Sequence, residues 1–361
     1  MKQIQDFALE RWFARWEFNV RHVLGASDVE GYAMTELLAL ADDQTRELWD
    51  RLTLGYTESL GHPLLRAEIA SLFETAAPDD VLTFTGAEEG VFLTMHGLLS
   101  AGDHAIVVWP SYQSLHEVAR SIGAEVTLVP LSPDDWTFDP DAIERALRPR
   151  TRVIVINSPH NPTGGMISRA ALDRVVEIAE RHGAVLFSDE VYRYLEVDTR
   201  DRLPAGVDLS SRAISLGVLS KSFALAGLRV GWIASRDRAT LDRIARLKDY
   251  TTICSSAPSE ILGVIALRAR DRVLARSREI VSRNLVVLDA FFAHMSQLFR
   301  WVRPRGGSTA YPELLAGDVT RFSDALVEHE GVLVVPASRF GDPSNHFRIG
   351  LGRRDLPVAI E

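Results

Sequence analysis

The stretch 214–233, I-S-L-G-V-L-S-K-S-F-A-L-A-G-L-R-V-G-W-I, sets two short apolar runs around one lysine and one arginine. The first run, 214–219, leads into Ser220-Lys221; a glycine-containing turn follows, and Arg229 opens the second run. Short apolar runs bounded by turn residues read as buried strands. Lys221 and Arg229 then fall at strand ends, the edge of an open α/β sheet at which ligands bind. A lysine amine forms a Schiff base with a carbonyl, and arginine's planar fork suits a phosphate held by two prongs. Taken alone, the stretch is better explained by a loop-end surface lysine and a structural arginine.

On the N-terminal side, strands alternate with helices. Strands are expected at 81–85, 105–109, 125–129, 153–156 and 184–188. Helices are expected at 88–99, 113–121, 140–147 and 168–181, with a loop and helix over 56–70. That rhythm indicates βαβ units and a mainly parallel sheet. After Trp232 the pattern turns helical through 236–250 and 258–292, and 301–351 mixes short strands with turns at Gly306-Gly307, Asp342-Pro343 and Gly352. At the start, 7–20 is aromatic-rich and helix-compatible, with Leu9, Trp12, Phe13, Trp16 and Val20 on one stripe. Core packing or a subunit contact explains that stripe better than a cofactor site. A further helix falls within 35–48. One large α/β domain over 45–260 and a smaller one from 1–44 and 261–361 are expected.

Composition excludes several classes of function. A formal net charge of −9 leaves no basic excess to neutralise nucleic-acid phosphates. The single cysteine, Cys254, forms no intramolecular disulfide and fits a reducing compartment. Asp6, Glu10 and Glu17 interrupt the first apolar residues, so no signal peptide or membrane anchor is expected, and a cytoplasmic location follows. His116-Glu117 lacks the second histidine of a zinc-protease motif because Arg120 stands there. The segment 305–310 lacks the second glycine of a nucleophile elbow.

Four other strand ends carry unusual polar residues. Gly86-Ala87-Glu88 is a glycine turn opening a helix, whose free N–H groups favour a phosphate. Tyr112, after Trp109-Pro110-Ser111, is placed to lie against an aromatic ligand, or to pack in its loop. In N-S-P-H-N-P-T-G, 157–164, two prolines stiffen the loop around the amide of Asn161. In S-D-E-V-Y, 188–192, Asp189 ends an apolar strand, where an ionised carboxylate needs a cationic partner unless it serves as a helix cap. Tyr192 follows three residues on. A phosphate cradle, a stacking ring, an amide donor, a carboxylate, a lysine and an arginine at one sheet edge are what pyridoxal 5'-phosphate (PLP) requires: the carboxylate keeps the ring nitrogen protonated so that the ring accepts electrons.

At this point the chain resembles the class I/II aminotransferase family of fold-type I PLP-dependent enzymes. The likeness rests on Y-T-E-S-L-G-H-P-L-L-R (56–66), T-G-A-E-E-G (85–90), P-S-Y, N-P-T-G, S-D-E-V-Y, S-K-S-F-A-L-A-G-L-R-V-G (220–231) and F-R-I-G-L (347–351). It implies a large domain with a seven-stranded sheet and a smaller α+β domain. It implies an enzyme moving an amino group between an L-amino acid and a 2-oxo acid. Lys221 would form the Schiff base and shuttle the Cα proton. Asp189 would pair with the pyridinium nitrogen, and Asn161 and Tyr192 would donate to the ring's phenolic oxygen. Tyr112 would stack on the ring; Arg229, Ser220 and the N–H groups after Gly86, at Ala87 and Glu88, would hold the phosphate. Arg348 would grip the substrate carboxylate. Tyr56 would reach the phosphate across the interface of a homodimer. The Trp109-Pro110 and Asn161-Pro162 bonds are expected to be cis. Val218 departs from the pattern: relatives place a phosphate-binding hydroxyl there. The N-terminal part is similar to capreomycidine synthase-like members acting on arginine derivatives, which adds elimination, cyclisation or oxidation as alternative outcomes.

Overall fold

A computed structural model describes residues 3–361. The expected alternation forms a seven-stranded sheet of β1 (Val81–Phe84), β2 (His104–Trp109), β3 (Glu125–Pro130), β4 (Thr151–Asn157), β5 (Val185–Asp189), β6 (Ala213–Val218) and β7 (Gly231–Ala234). The spatial order is β1-β7-β6-β5-β4-β2-β3. Every pairing is parallel except those of β7, which is antiparallel to both its neighbours. The reversal matters for chemistry. Gly231, which starts β7, lies beside Phe84 and Val218, which end β1 and β6. The β6–β7 connection with its lysine and arginine therefore returns to the edge where β1, β4 and β5 also end.

Apart from the half-exposed edge strand β3, the strands are buried on both faces, so their sequences are largely apolar rather than alternating. Successive side chains serve opposite layers. Ile154, Ile156 and Leu186 pack with Leu172, Val175 and Ile178 of the helix Arg169–His182. Val153, Val155 and Phe187 pack with Val91 and Met95 of the helix Ala87–Leu98 and with Ile244 of the helix Arg238–Lys248. Local signals bound the helix Arg169–His182: Ser168 Oγ accepts from the Ala171 N–H at 3.1 Å, and Gly183 supplies a left-handed C-cap.

The chain ends meet away from the sheet. Leu24 and Val29 pack with Leu285, Leu288, Phe347 and Leu351, and Thr309–Ala310, Val335–Pro336 and Phe347–Gly350 form a three-stranded sheet. The helical stretch expected over 258–292 divides at Ala269 into Ala257–Arg268 and Arg270–His294. The first half packs on Leu37, Leu65 and Ile69, the second on the terminal cluster. Two features differ from expectation. The segment 35–48 holds two short helices, Met34–Leu38 and Asp43–Asp50, the second capped by Asp42. The region read as strands and turns contains the helix Val319–Ala325, capped by Asp318. Both are too short for their apolar residues to reveal a period. Among the described residues no helix is long and apolar enough to cross a membrane.

Asn284, fully buried on the long helix, joins the two regions by donating its amide to the carbonyls of Leu351 and Arg353 at 2.9 and 2.6 Å. Asn284→Leu strands both carbonyls and is expected to lower stability by about 1–3 kcal/mol, read as a lower denaturant midpoint at unchanged slope.

Candidate active site

Asp189 ends β5 and is buried, and its Oδ1 accepts from the Val191 N–H at 3.2 Å. Burial pushes this carboxyl up to about 7, against the opposing charge of Lys221 and with the help of Glu190 and Glu88. On the adjacent strand, Asn157 fixes the neighbouring loop. Its amide donates to the Asp189 carbonyl at 2.9 Å, and its Oδ1 accepts the Asn161 N–H at 2.7 Å. Trp109-Pro110 and Asn161-Pro162 are cis as expected, and Ser158-Pro159 is a third.

Arg348, on the strand Phe347–Gly350, is 1 % exposed. Its Nη1 donates to Asn161 Oδ1 at 3.0 Å, and its Nε and Nη2 donate to the Gly25 carbonyl at 3.1 and 2.7 Å. Burial pulls its basicity below the usual value. Lys221 donates from Nζ to Ser27 Oγ at 2.8 Å, and the Ser27 carbonyl in turn accepts from Ser308 Oγ at 2.7 Å. Nζ stands 5.8 Å from the ring centre of the buried Tyr192. Tyr112 packs its ring on Phe7 at 4.9 Å and donates its hydroxyl to Glu10 Oε1 at 2.8 Å. Burial, with the charges of Glu88 and Glu10, holds that hydroxyl's pKa well above its ordinary value.

At the opposite end, Gly86 (φ 87°) caps the helix Ala87–Leu98. A Cβ there would collide with the Arg229 guanidinium, which lies across the turn. Arg229 itself takes left-handed backbone (φ 54°) and donates from Nη1 to the Ala226 carbonyl at 3.2 Å and to Ser220 Oγ at 3.5 Å. A Cβ on Gly231 would sit 2.6 Å from the Gly86 carbonyl carbon. Two glycines thus let the two turns touch.

One cavity of about 350 Å³ gathers these groups. Ala87, Glu88, Tyr112, Asn161, Asp189, Tyr192, Ser220, Lys221, Arg229 and Arg348 all line it, as does the apolar Val218. Gly86 lies against Arg229 at its rim. Tyr56 is not brought in: it is 91 % exposed, on a separate groove with Leu52 and Ile261.

The N-terminal helix corrects the sequence reading. It spans Ala8–Trp16, and Leu9 and Trp12 join the core as expected, but Glu10, Phe13 and Glu17 face the cavity together with Ser27 and Asp28. Positions 10, 13 and 17 have helical spacing, so the signal was present beside the apolar stripe. Nothing local says that this face meets a sheet edge far along the chain. Burial raises Glu17, and the charge of Asp28 adds to it; Asp28 pairs with Arg353 at 3.0 Å.

Residues 24–356 match the family model for aminotransferase class I and II. The chain belongs to that family. Capreomycidine synthase of Streptomyces vinaceus is 33 % identical over 95 % of this chain and 88 % of its own length. The probable N-succinyldiaminopimelate aminotransferase DapC of Mycobacterium tuberculosis is 34 % identical over 73 % of this chain and 68 % of that protein. Among solved structures, a PLP-dependent aminotransferase from Streptococcus suis superposes with a TM-score of 0.92 at 28 % identity, covering 99 % of this chain and 96 % of that one. The PLP-dependent cyclase OrfR superposes at 0.90 and 29 %, covering 100 % and 96 %.

The protein is a fold-type I, PLP-dependent enzyme of this family, and its cavity suits that cofactor. The Asp189 carboxyl receives one backbone hydrogen bond among the described residues and wants a cation. The turn at Gly86 leaves helix N–H groups beside an arginine. Gly86→Ala would force strained backbone, costing about 1–2 kcal/mol, and displace Arg229. PLP binding to the apoprotein is expected to weaken at least about tenfold, measured by absorbance titration.

Proposed function

We propose that this aminotransferase-family enzyme moves an amino group between an L-amino acid and a 2-oxo acid, with Lys221 as the residue that bonds the cofactor. The observation carrying this reading is that Lys221 Nζ, the Asp189 carboxyl and the Arg348 guanidinium open into one cavity. When bound, PLP supplies an aldehyde that condenses with amines and a ring that withdraws electrons from the substrate's Cα. Asp189 keeps that ring's nitrogen protonated, which also returns its own carboxyl to the ionised form. Lys221 carries the proton removed from Cα, steadied by Ser27 in the resting arrangement. Asn161 offers its amide N–H groups, because its oxygen is already occupied by Arg348, and Tyr192 donates its hydroxyl to the same phenolic oxygen. Arg348, aimed by the Gly25 carbonyl, takes the substrate's α-carboxylate. Tyr112, tethered to Glu10, covers the ring. Ala87, Glu88, Ser220 and Arg229 receive the phosphate through their N–H, hydroxyl and guanidinium groups.

The same reading makes the working unit a cytoplasmic homodimer in which Tyr56 reaches the other protomer's phosphate; Leu54, Tyr56 and Tyr250 stand 86 %, 91 % and 90 % exposed. It takes 45–260 as the cofactor-bearing domain and 1–44 with 261–361 as the smaller one, in keeping with the shared packing of Leu24, Val29 and the C-terminal cluster.

A second reading has its own observation. Glu10, Glu17 and Asp28 all line the cavity, and Asp28 alone of them has an arginine within ion-pair distance among the described residues. A wall of carboxylates repels a second substrate carboxylate and welcomes an ammonium or guanidinium. This favours a cationic, arginine-like amino acid, for which elimination or cyclisation replaces transfer.

Mixing the PLP-loaded enzyme with an amino-acid panel is expected to bleach its absorbance and release an oxo acid; product formed without any oxo-acid acceptor would select the second reading instead. Lys221→Ala is expected to abolish turnover, and Asp189→Ala to slow it by at least about a hundredfold. Glu17→Gln with Asp28→Asn is expected to raise KM for arginine at least about tenfold, and far less for the uncharged norleucine.

A further inference from the structure

We infer that Glu88 is a proton-binding group at the phosphate end of the site, taking up a proton as the phosphate ester binds, so that cofactor retention weakens as pH rises. The inference rests on the PLP reading of the cavity. Glu88 is the second residue of the helix Ala87–Leu98, and it shares the cavity wall with Ala87, Ser220 and Arg229. Its Oε2 accepts from Ser114 Oγ at 3.0 Å, which fixes the carboxyl of this cavity-lining residue.

The charged groups facing it come from four elements. Glu10 projects from the helix Ala8–Trp16 and Asp189 from the end of β5; Lys221 and Arg229 stand on the β6–β7 connection; the Tyr112 hydroxyl precedes the helix Ser114–Ile122. No arginine or lysine lies within ion-pair distance of Glu88 among the described residues, and Arg229 is engaged with Ala226 and Ser220. Burial therefore dominates and pushes the carboxyl up to about 7, with Glu10 adding and Ser114, Arg229 and Lys221 opposing. The helix N-terminus also favours the anion, but only by about 0.3–1 kcal/mol.

A phosphate ester brings nearly two negative charges at neutral pH. Two anions in one turn disfavour each other, and the group with a proton affinity already near neutrality yields. Protonated, Glu88 is neutral and presents an O–H donor where an ionised side chain would repel. Because binding raises its pKa, the complex holds more protons than the free protein, and affinity falls as pH climbs through and above 7.

The test uses pyridoxine 5'-phosphate, which lacks the aldehyde and so leaves Lys221 chemistry aside. The ratio of dissociation constants, wild type over Glu88→Gln, cancels titrations of the probe itself. It is expected to lie near one at pH 6 and to reach about tenfold at pH 8. Calorimetry in buffers of different ionisation enthalpy at pH 7.5 should show greater proton uptake by the wild type. A ratio constant across pH, with equal proton uptake, overturns the inference while leaving the cofactor reading intact. Absence of binding to either protein at any pH overturns both. Should Glu88→Gln not fold, Ser114→Ala removes the donor that stabilises the anion, and the loss of affinity should move to higher pH; an unmoved profile counts against Glu88.

Discussion

A carboxyl group taken out of water at the end of a central strand is the constraint around which this enzyme is arranged. Asp189 is too buried to ionise cheaply with one backbone N–H for company, so its charged form depends on a cation arriving in the cavity. The sheet prepares that arrival. Lys221 follows β6 at the edge where β5 ends, and reversing β7 brings Arg229 back to that same edge, a result that a further parallel strand would not give. From Asp189 the order then spreads through polar contacts: its carbonyl accepts from Asn157, Asn157 accepts from the Asn161 N–H, Asn161 accepts from Arg348, and Arg348 donates to Gly25. The sheet edge and both chain termini are thereby locked to one geometry.

Charge sets the character of the site as much as geometry does. The cavity wall presents Lys221, Arg229 and Arg348 against Glu10, Glu17, Asp28, Glu88 and Asp189. A cofactor phosphate and a substrate carboxylate only deepen the negative excess. On the readings proposed above, three things would offset it: a protonated ring nitrogen at Asp189, a proton on Glu88, and a positive substrate side chain near Glu17 and Asp28.

Most of the fold, and the convergence of Asp189, Asn161, Lys221 and Arg229 on one cavity, was legible in the sequence. Strands end at 84, 109, 157, 189 and 218, within one residue of where the apolar runs stop at turn residues, and short-range chemistry puts Asp189, Asn161 and Lys221 just at or after those stops and Arg229 before β7. Arg348 was legible too, in F-R-I, but the acidic part of the cavity wall was not. Glu10, Phe13 and Glu17 have helical spacing, but their meeting with Lys221 depends on the packing of Leu9 and Trp12 in one cluster with Tyr311, Leu333 and Val335, which has no local signature. Ser27 was invisible for the same reason: its contact with Lys221 joins segments 194 positions apart. The short helix Val319–Ala325 was missed because about two turns hold too few apolar residues to show a period.

The pairing at Asp189 is tested most directly by nitrogen NMR of the enzyme loaded with PLP labelled at the ring nitrogen. The account expects the chemical shift of a protonated pyridinium to persist through pH 8 in the wild type and to be lost in Asp189→Ala. A ring nitrogen already unprotonated at pH 7 in the wild type would contradict it.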